Sequence, residues 1–205
     1  MTTAEEIANI LLKEKAVFLR PEDPFTWTSG IKSPVYCDNR LLISSVVSRE
    51  TIIKAFVDSI KPLKVDVIAG TATAGIPWAA WIAHALQLPL VYIRSSSKDH
   101  GRQNSIEGSV KIGQKAVLIE DLISTGKSSI AAARKLQEAE VEVLKVLSIF
   151  SYHFPATERI FQENKLEFNS LTHFEILAKV AYDNKTLNTE SLKQVLEWKE
   201  SIKFL

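Results

Sequence analysis

Cysteine is nearly absent from this 205-residue chain: Cys37 stands alone, which excludes an internal disulfide framework and fits a reducing, cytoplasmic setting. No apolar run approaches the ~20 residues that a membrane helix needs, so no membrane partner is expected. The opening "MTTAEEIANILLKEKAVF" is acidic early and amphipathic, unlike a secretory signal. Excess charge of one sign is missing too. The formal net charge is +1, and no basic surplus points to a nucleic-acid partner. Repeats and low-complexity tracts are absent. What remains is ordinary for a soluble globular protein, with 46% hydrophobic and 24% charged residues. The length suits a single domain with a substantial core and room for a small appendage.

Residues 118–129, "LIEDLISTGKSS", carry the most chemistry. Gly126-Lys127-Ser128 reads like the end of a nucleoside-triphosphate P-loop. That motif requires a glycine five residues earlier, and the position holds Asp121, preceded by Glu120. Two carboxylates at the mouth of a phosphate loop would repel a polyphosphate. The stretch still has strand–loop–helix logic. Val117, Leu118 and Ile119 suit a buried parallel strand. Ser124, Thr125 and Gly126 can turn tightly. "SSIAAARKLQEA" then reads as a helix, with Ile130, Ala133 and Leu136 at helical spacing. A helix N-terminus preceded by hydroxyls and a glycine binds an anion. Carboxylates accept hydrogen bonds from hydroxyl groups, so the acid pair suits a sugar. The chemistry points to one phosphate plus a ribose diol.

Along the rest of the chain, helices are expected at 4–16, 48–60 and 76–88, the last with Pro77 near its start. Two short strands are expected around Ser29-Gly30. Further strands are expected at 65–70, 89–94, 115–120 and 141–150, followed by helices and a short strand near 168–172. Alternating strands and helices imply an α/β fold with a mainly parallel sheet. Ligands bind such sheets beyond the carboxyl ends of the strands. Gly70, Arg94 and Glu120 all fall there.

The segment 95–108, "SSSKDHGRQNSIEG", shows no clear period and exceeds the ~4–6 residues of a typical connection. A solvated excursion is the bland alternative. The segment leaves a strand end facing the expected site and carries Lys98, His100 and Arg102, cations that the acid pair lacks for a pyrophosphate. It reads as a mobile catalytic lid. Other residues have plainer readings. Cys37 is a buried small residue, His84 a structural residue on an apolar helix, and Lys127 a solvated first-turn lysine. His153 is isolated, and the sequon at Asn184 is discounted. Tyr36 fits either a core aromatic or one packed on a ligand ring.

On these motifs the chain resembles the orotate phosphoribosyltransferases, within the type I phosphoribosyltransferase family, in their bacterial short form. "VLIEDLISTGKS" is similar to the signature for phosphoribosyl diphosphate (PRPP). "RSSSKDHG" is similar to the mobile loop, "FTWTSGIKSPVYCDNR" to the N-terminal substrate hood, and "IAGTATAGIPWAAWIA" to the pyrophosphate loop. The resemblance implies a single 1–205 phosphoribosyltransferase domain. Its hood would take in about 1–45 plus C-terminal elements, and its core about 46–175. It implies Mg²⁺-dependent transfer of ribose 5-phosphate from PRPP to N1 of orotate, in pyrimidine synthesis. Mg²⁺ would be held mainly through PRPP, with no protein metal ligand. Lys98, His100 and Asp121 would be catalytic. PRPP would meet Arg94, Lys98, His100, Glu120, Asp121, Leu122, Ile123, Ser124, Thr125, Gly126, Lys127 and Ser128. Orotate would meet Ser124 and Tyr36. The assembly would be a homodimer in which each lid reaches the partner's site.

Three positions depart from patterns found in some members of that family. Thr28 replaces a lysine before the hood Ser-Gly, and Thr73-Ala74 replaces Tyr-Lys. No orotate-binding arginine is evident near Ser151–Phe154. Neutralising the orotate carboxylate would then fall to Lys32 or to backbone N–H groups near Ser29-Gly30. A purine-base phosphoribosyltransferase would share the PRPP loop without this hood. A nucleotide-sensing regulator on the same fold would lack the lid cations.

Overall fold

Thr2 begins the folded chain with a reciprocal cap. Its hydroxyl accepts from the Glu5 N–H while the Glu5 carboxylate accepts from the Thr2 N–H. This computed structural model describes residues 1–27, 30–94 and 105–202. Helix α1 (Thr3–Lys13) leads into four short strands, β1 (Val17–Leu19), β2 (Phe25–Thr26), β3 (Lys32–Ser33) and β4 (Val35–Cys37). A 3₁₀ segment, Asn39–Ser44, then precedes α2 (Val46–Ile60), β5 (Val67–Thr71), α3 (Gly75–Leu86) and β6 (Leu90–Ile93). The chain continues through β7 (Ile106–Glu107), β8 (Lys115–Ile123), α4 (Lys127–Glu138), β9 (Glu142–Ser151) and α5 (Pro155–Glu163). It ends with β10 (Phe168–His173), α6 (Phe174–Asp183) and α7 (Thr189–Ser201).

Six strands form the central sheet in the order β10-β9-β8-β5-β6-β7, and every pairing is parallel except β6 with β7. Side chains alternate between its faces, as strand geometry requires. Val117 and Ile119 of β8 pack into a core with α1, α2, α3 and α6, and Ala116 and Leu118 pack into a second core with α4 and α5. From β5 the chain moves to β6, but from β8 it moves the opposite way, to β9. The sheet order therefore reverses between β5 and β8. Crevices at such reversals receive ligands because the following loops diverge there. Here those loops are Ala72–Ala74 and Ser124–Gly126.

The N-terminal strands stand outside this sheet as two antiparallel ladders, β1 with β4 and β2 with β3. An aromatic cluster joins them to the last helix. Trp27 lies edge-on to Tyr152 and Trp198, and the Trp198 indole N–H donates to the Lys32 carbonyl at 2.8 Å.

Several expectations need amendment. The strand expected at 115–120 runs on to Ile123, because β9 continues to pair with it through Leu122↔Phe150 and Ile123↔Ser151. The two strands expected around Ser29-Gly30 are β2 and β3, and β1 and β4 are additional. Residues 106–107 of the segment read as a lid form a strand against β6. His84 is exposed, because α3 turns Trp78, Ala79, Ile82 and Ala83 inward instead. Residues 95–104, with Lys98, His100 and Arg102, lie outside the described residues, as do Thr28 and Ser29.

Candidate active site

Glu120 and Asp121 are consecutive residues near the carboxyl end of β8, and their carboxyl groups interact with one another. Glu120 is only 5% exposed. Its carboxylate accepts from the Asp121 N–H at 3.2 Å and from the Ser129 hydroxyl at 3.3 Å, and Ser128 approaches at 3.5 Å. Burial pushes the Glu120 carboxyl up to about 8, and the neighbouring Asp121 charge adds to the shift. Burial also raises Asp121. Two acids this close do not ionise independently, so both are raised and the pair favours sharing a proton.

Past β8 the chain makes its tight turn at Gly126, whose φ is +76°, and enters α4. A Cβ on Gly126 would lie 2.6 Å from Cε2 of Phe161 on α5, so glycine is required by both conformation and space. The Thr157 hydroxyl donates to the Ser124 carbonyl at 2.5 Å and fixes the turn from the α5 side. The first N–H groups of α4 have no partners within the helix and suit an anion. Lys127 and Ser128 are exposed there, as expected for a first turn, while Ser129 is buried and bonded to Glu120. Leu122 and Thr125 are half-buried, and Ile123 is in the core.

Across the crevice, α3 starts almost in contact with β8. A Cβ on Gly75 would stand 2.5 Å from the Ile119 carbonyl oxygen, and one on Gly70 would stand 2.9 Å from the Ala79 Cβ. These glycines let the loop after β5 close over β8. Thr71, at the end of β5, is buried, and its hydroxyl has no hydrogen-bond partner within the described residues. A buried hydroxyl without a partner beside a phosphate-type loop suits a polar ligand.

Arg94 follows β6, and its guanidinium pairs with Glu107 at 3.3 Å while its carbonyl accepts from Lys135 at 2.6 Å. Tyr36 is 39% exposed, with its ring 5.6 Å from Phe25. Tyr36 thus packs on Phe25 with part of its ring exposed, while Cys37 is buried and its thiol raised well above its usual range, chiefly by burial. The catalytic assignments to Lys98 and His100 fall outside the described residues.

Sequence reasoning missed Asn39, which is 1% exposed. Its amide donates to the Asp121 carbonyl at 2.7 Å and its oxygen faces the Cys37 thiol at 3.3 Å, tying the hood to the acid pair. Nothing local in the sequence signals a contact across 82 positions. Ser129 and Thr157 were missed for similar reasons, although Ser129 directly continues the "GKSS" run.

A mainly parallel sheet with an acid pair and a helix N-terminus at its switch point defines a class that the comparisons identify. Residues 47–185 match the family profile described as "Phosphoribosyl transferase domain". The chain is 47% identical over 203 residues to an orotate phosphoribosyltransferase of Listeria innocua, covering 98% of this chain and 97% of that protein. It is 48% identical over 197 residues to an orotate phosphoribosyltransferase of Bacillus subtilis, covering 95% of this chain and 91% of that one. A crystal structure of orotate phosphoribosyltransferase from Aeropyrum pernix superposes with a TM-score of 0.75 at 27% identity, covering 89% of this chain and 99% of that one. The chain belongs to the phosphoribosyltransferases and, within them, to the orotate phosphoribosyltransferase family.

Proposed function

We propose that this protein transfers ribose 5-phosphate from PRPP to N1 of orotate, releasing pyrophosphate and forming orotidine 5′-monophosphate for pyrimidine synthesis. One observation carries the reading. The acid pair of β8, with Glu120 buried and Asp121 half-buried, leads into the α4 N-terminus at the sheet's switch point, within a chain nearly half identical to orotate phosphoribosyltransferases. The phosphate of PRPP lies on the Ser124–Ser128 turn and the α4 N–H groups. The ribose 2′ and 3′ hydroxyls donate to Glu120 and Asp121. The C1–oxygen bond breaks with its electron pair leaving on pyrophosphate, and orotate N1 supplies the pair for the new bond as its N–H proton is lost to pyrophosphate or water. Positive charge on the ribose in between favours nearby carboxylates.

Burial raises both carboxyls of the pair, and the neighbouring charge of Asp121 raises Glu120 further, which favours a shared proton before PRPP binds. Two bare carboxylates in a buried strand would repel each other. Donating hydroxyls and a nearby cation favour their ionised forms, so ligand binding releases the proton. The donors present are carboxylates and hydroxyls, an all-oxygen set that fits Mg²⁺ carried mainly by the PRPP oxygens. Bound with PRPP, Mg²⁺ would supply electrostatic stabilisation for the pyrophosphate leaving group. Arg94 exchanges Glu107 for that leaving group. By family resemblance, Lys98 and His100 join it, and Ser124 and Tyr36 flank the orotate. The same resemblance supports a homodimer whose loop 95–108 serves the partner's site. Among the described residues no helix is long and apolar enough to cross a membrane. A cytoplasmic location agrees with the lone, buried Cys37.

A panel assay tests the substrate. The protein with PRPP and Mg²⁺ is offered orotate, adenine, guanine, hypoxanthine and uracil in turn, and pyrophosphate is measured. Release with orotate alone is expected. Release with a purine, or with no base, would overturn the assignment.

A further inference from the structure

The geometry points to a second ligand site, for one transition-metal dication of the Zn²⁺ class, built by His153, His173 and Glu175 at the ends of β9 and β10. Each residue offers one donor atom, and the three donors lie within 4.8 Å of one another. The reaction proposed above has no use for this cluster, and the inference stands independently of that reaction.

The fold brings these residues together. Strands β9 and β10 are parallel neighbours with Ser151 opposite His173. Two residues past Ser151, His153 doubles back with φ +56°, a left-handed conformation that costs energy in a non-glycine residue. That turn lays its ring 5.0 Å from the His173 ring at 37°. Glu175, in the first turn of α6, aims one oxygen at both. Its Oε2 is 2.7 Å from His173 Nδ1 and 3.9 Å from His153 Nδ1. All three residues are half-buried. A cavity of about 210 Å³ opens beside the two rings, and Ser151, Asn169 and Ser170 complete its polar wall.

The groups around the cluster orient its donors. Nε2 of His153 faces the Glu158 carboxylate at 2.9 Å, so the ring's second nitrogen is held by an acid while Nδ1 turns toward Glu175. A carboxylate behind a ligating imidazole is the usual outer partner of a metal-bound histidine. Lys199 engages Oε1 of Glu175 and leaves Oε2 for the imidazoles. Its positive charge opposes a cation and keeps the affinity moderate.

Two imidazoles and one carboxylate select the metal. Mg²⁺ and Ca²⁺ prefer all-oxygen sets, whereas nitrogen donors with one carboxylate suit Zn²⁺, Co²⁺ or Ni²⁺. Donors around such an ion stand ~3.4 Å apart, given bonds of ~2.0–2.1 Å, so small rotations must open the Glu175–His173 pair and close the Glu175–His153 pair to reach it. Binding displaces the Nδ1 proton of His173, and a water from the cavity fills the fourth position. The ion then cross-links β9, β10 and α6.

Equilibrium dialysis of chelator-stripped protein against Zn²⁺ tests the site, with Co²⁺ absorption reporting coordination. One ion per chain is expected, with visible bands of a four-coordinate Co²⁺ centre and a raised Tm on Zn²⁺ loading. His173→Ala and His153→Asn should each abolish the bands and weaken binding at least tenfold. Asparagine tolerates the left-handed backbone at 153, so that variant should fold. Glu158→Ala should weaken binding ~10- to 100-fold, as loss of an outer partner does. His84→Ala, on the exposed face of α3, should change nothing. No saturable binding, or binding unaltered in both folded histidine variants, would overturn the inference.

Discussion

Replacing Glu120 with glutamine keeps the shape of the side chain and removes the ionisation that burial opposes. The folded-state value near 8 lies above the ordinary 4.5. Between those values the folded protein holds a proton that the unfolded chain has lost, so stability falls as pH rises through that window. Glu120 imposes no cost below about pH 4.5, and the full cost is reached above about pH 8. Each pH unit over which the folded protein keeps the proton is worth ~1.36 kcal/mol. Asp121 shares the proton, and water can enter beside the exposed Ser128, so roughly 2–3 kcal/mol should be measured. Urea unfolding of ligand-free wild-type protein and Glu120→Gln from pH 4.5 to 9 reads this directly. The two should be nearly equal at the acid end and should diverge with rising pH, the variant becoming the more stable. His153 and His173, whose values are lowered mainly by burial, destabilise both proteins alike on the acid side and cancel in the difference. Parallel stability curves would refute the retained proton.

Asp121→Asn should cost roughly ten- to a hundredfold in kcat/KM for PRPP with little loss of stability, because one charged hydrogen-bond pairing is worth ~1.5–3 kcal/mol. Steady-state kinetics beside a melting curve checks it. Gly75→Ala should destabilise by ~3 kcal/mol or more in urea unfolding, because the added Cβ meets backbone, the Ile119 carbonyl oxygen at 2.5 Å, which cannot swing away. Co-refolding Lys98→Ala with Asp121→Asn, each assayed at limiting PRPP where its own activity is about a tenth of wild type or less, should raise activity to roughly a quarter of wild type if loop 95–108 serves the partner's site. About half of randomly assembled dimers are mixed, and each mixed dimer has one intact site. Verified mixed dimers without that rise would place the loop on its own subunit.

The segments that the sequence made legible are those whose signal is local. The apolar run 117–119, the hydroxyl–glycine turn and the following helix could be read together because one short stretch carries strand, anion site and acid pair. The α/β alternation was readable for the same reason. Where the structure differs, a distant partner decides. Strand β8 runs beyond Glu120 because β9 continues to pair with it. Asn39 matters only because the hood folds back on Asp121. Thr157 matters only because α5 packs under the Gly126 turn. His153 is isolated in the chain yet lies beside His173, because β9 and β10 are neighbours in the sheet. His84 shows the converse: an apolar helix still has an outer face, and that is where this residue points.

Identification of the product tests the central claim most directly. Purified protein is incubated with PRPP, Mg²⁺ and orotate, and the mixture is resolved by anion-exchange chromatography with mass and NMR analysis. The account predicts that orotate is consumed one-for-one with pyrophosphate formed, giving orotidine 5′-monophosphate with its ribose on N1. Unconsumed orotate, or PRPP broken down to ribose 5-phosphate and pyrophosphate without a nucleotide, would contradict it.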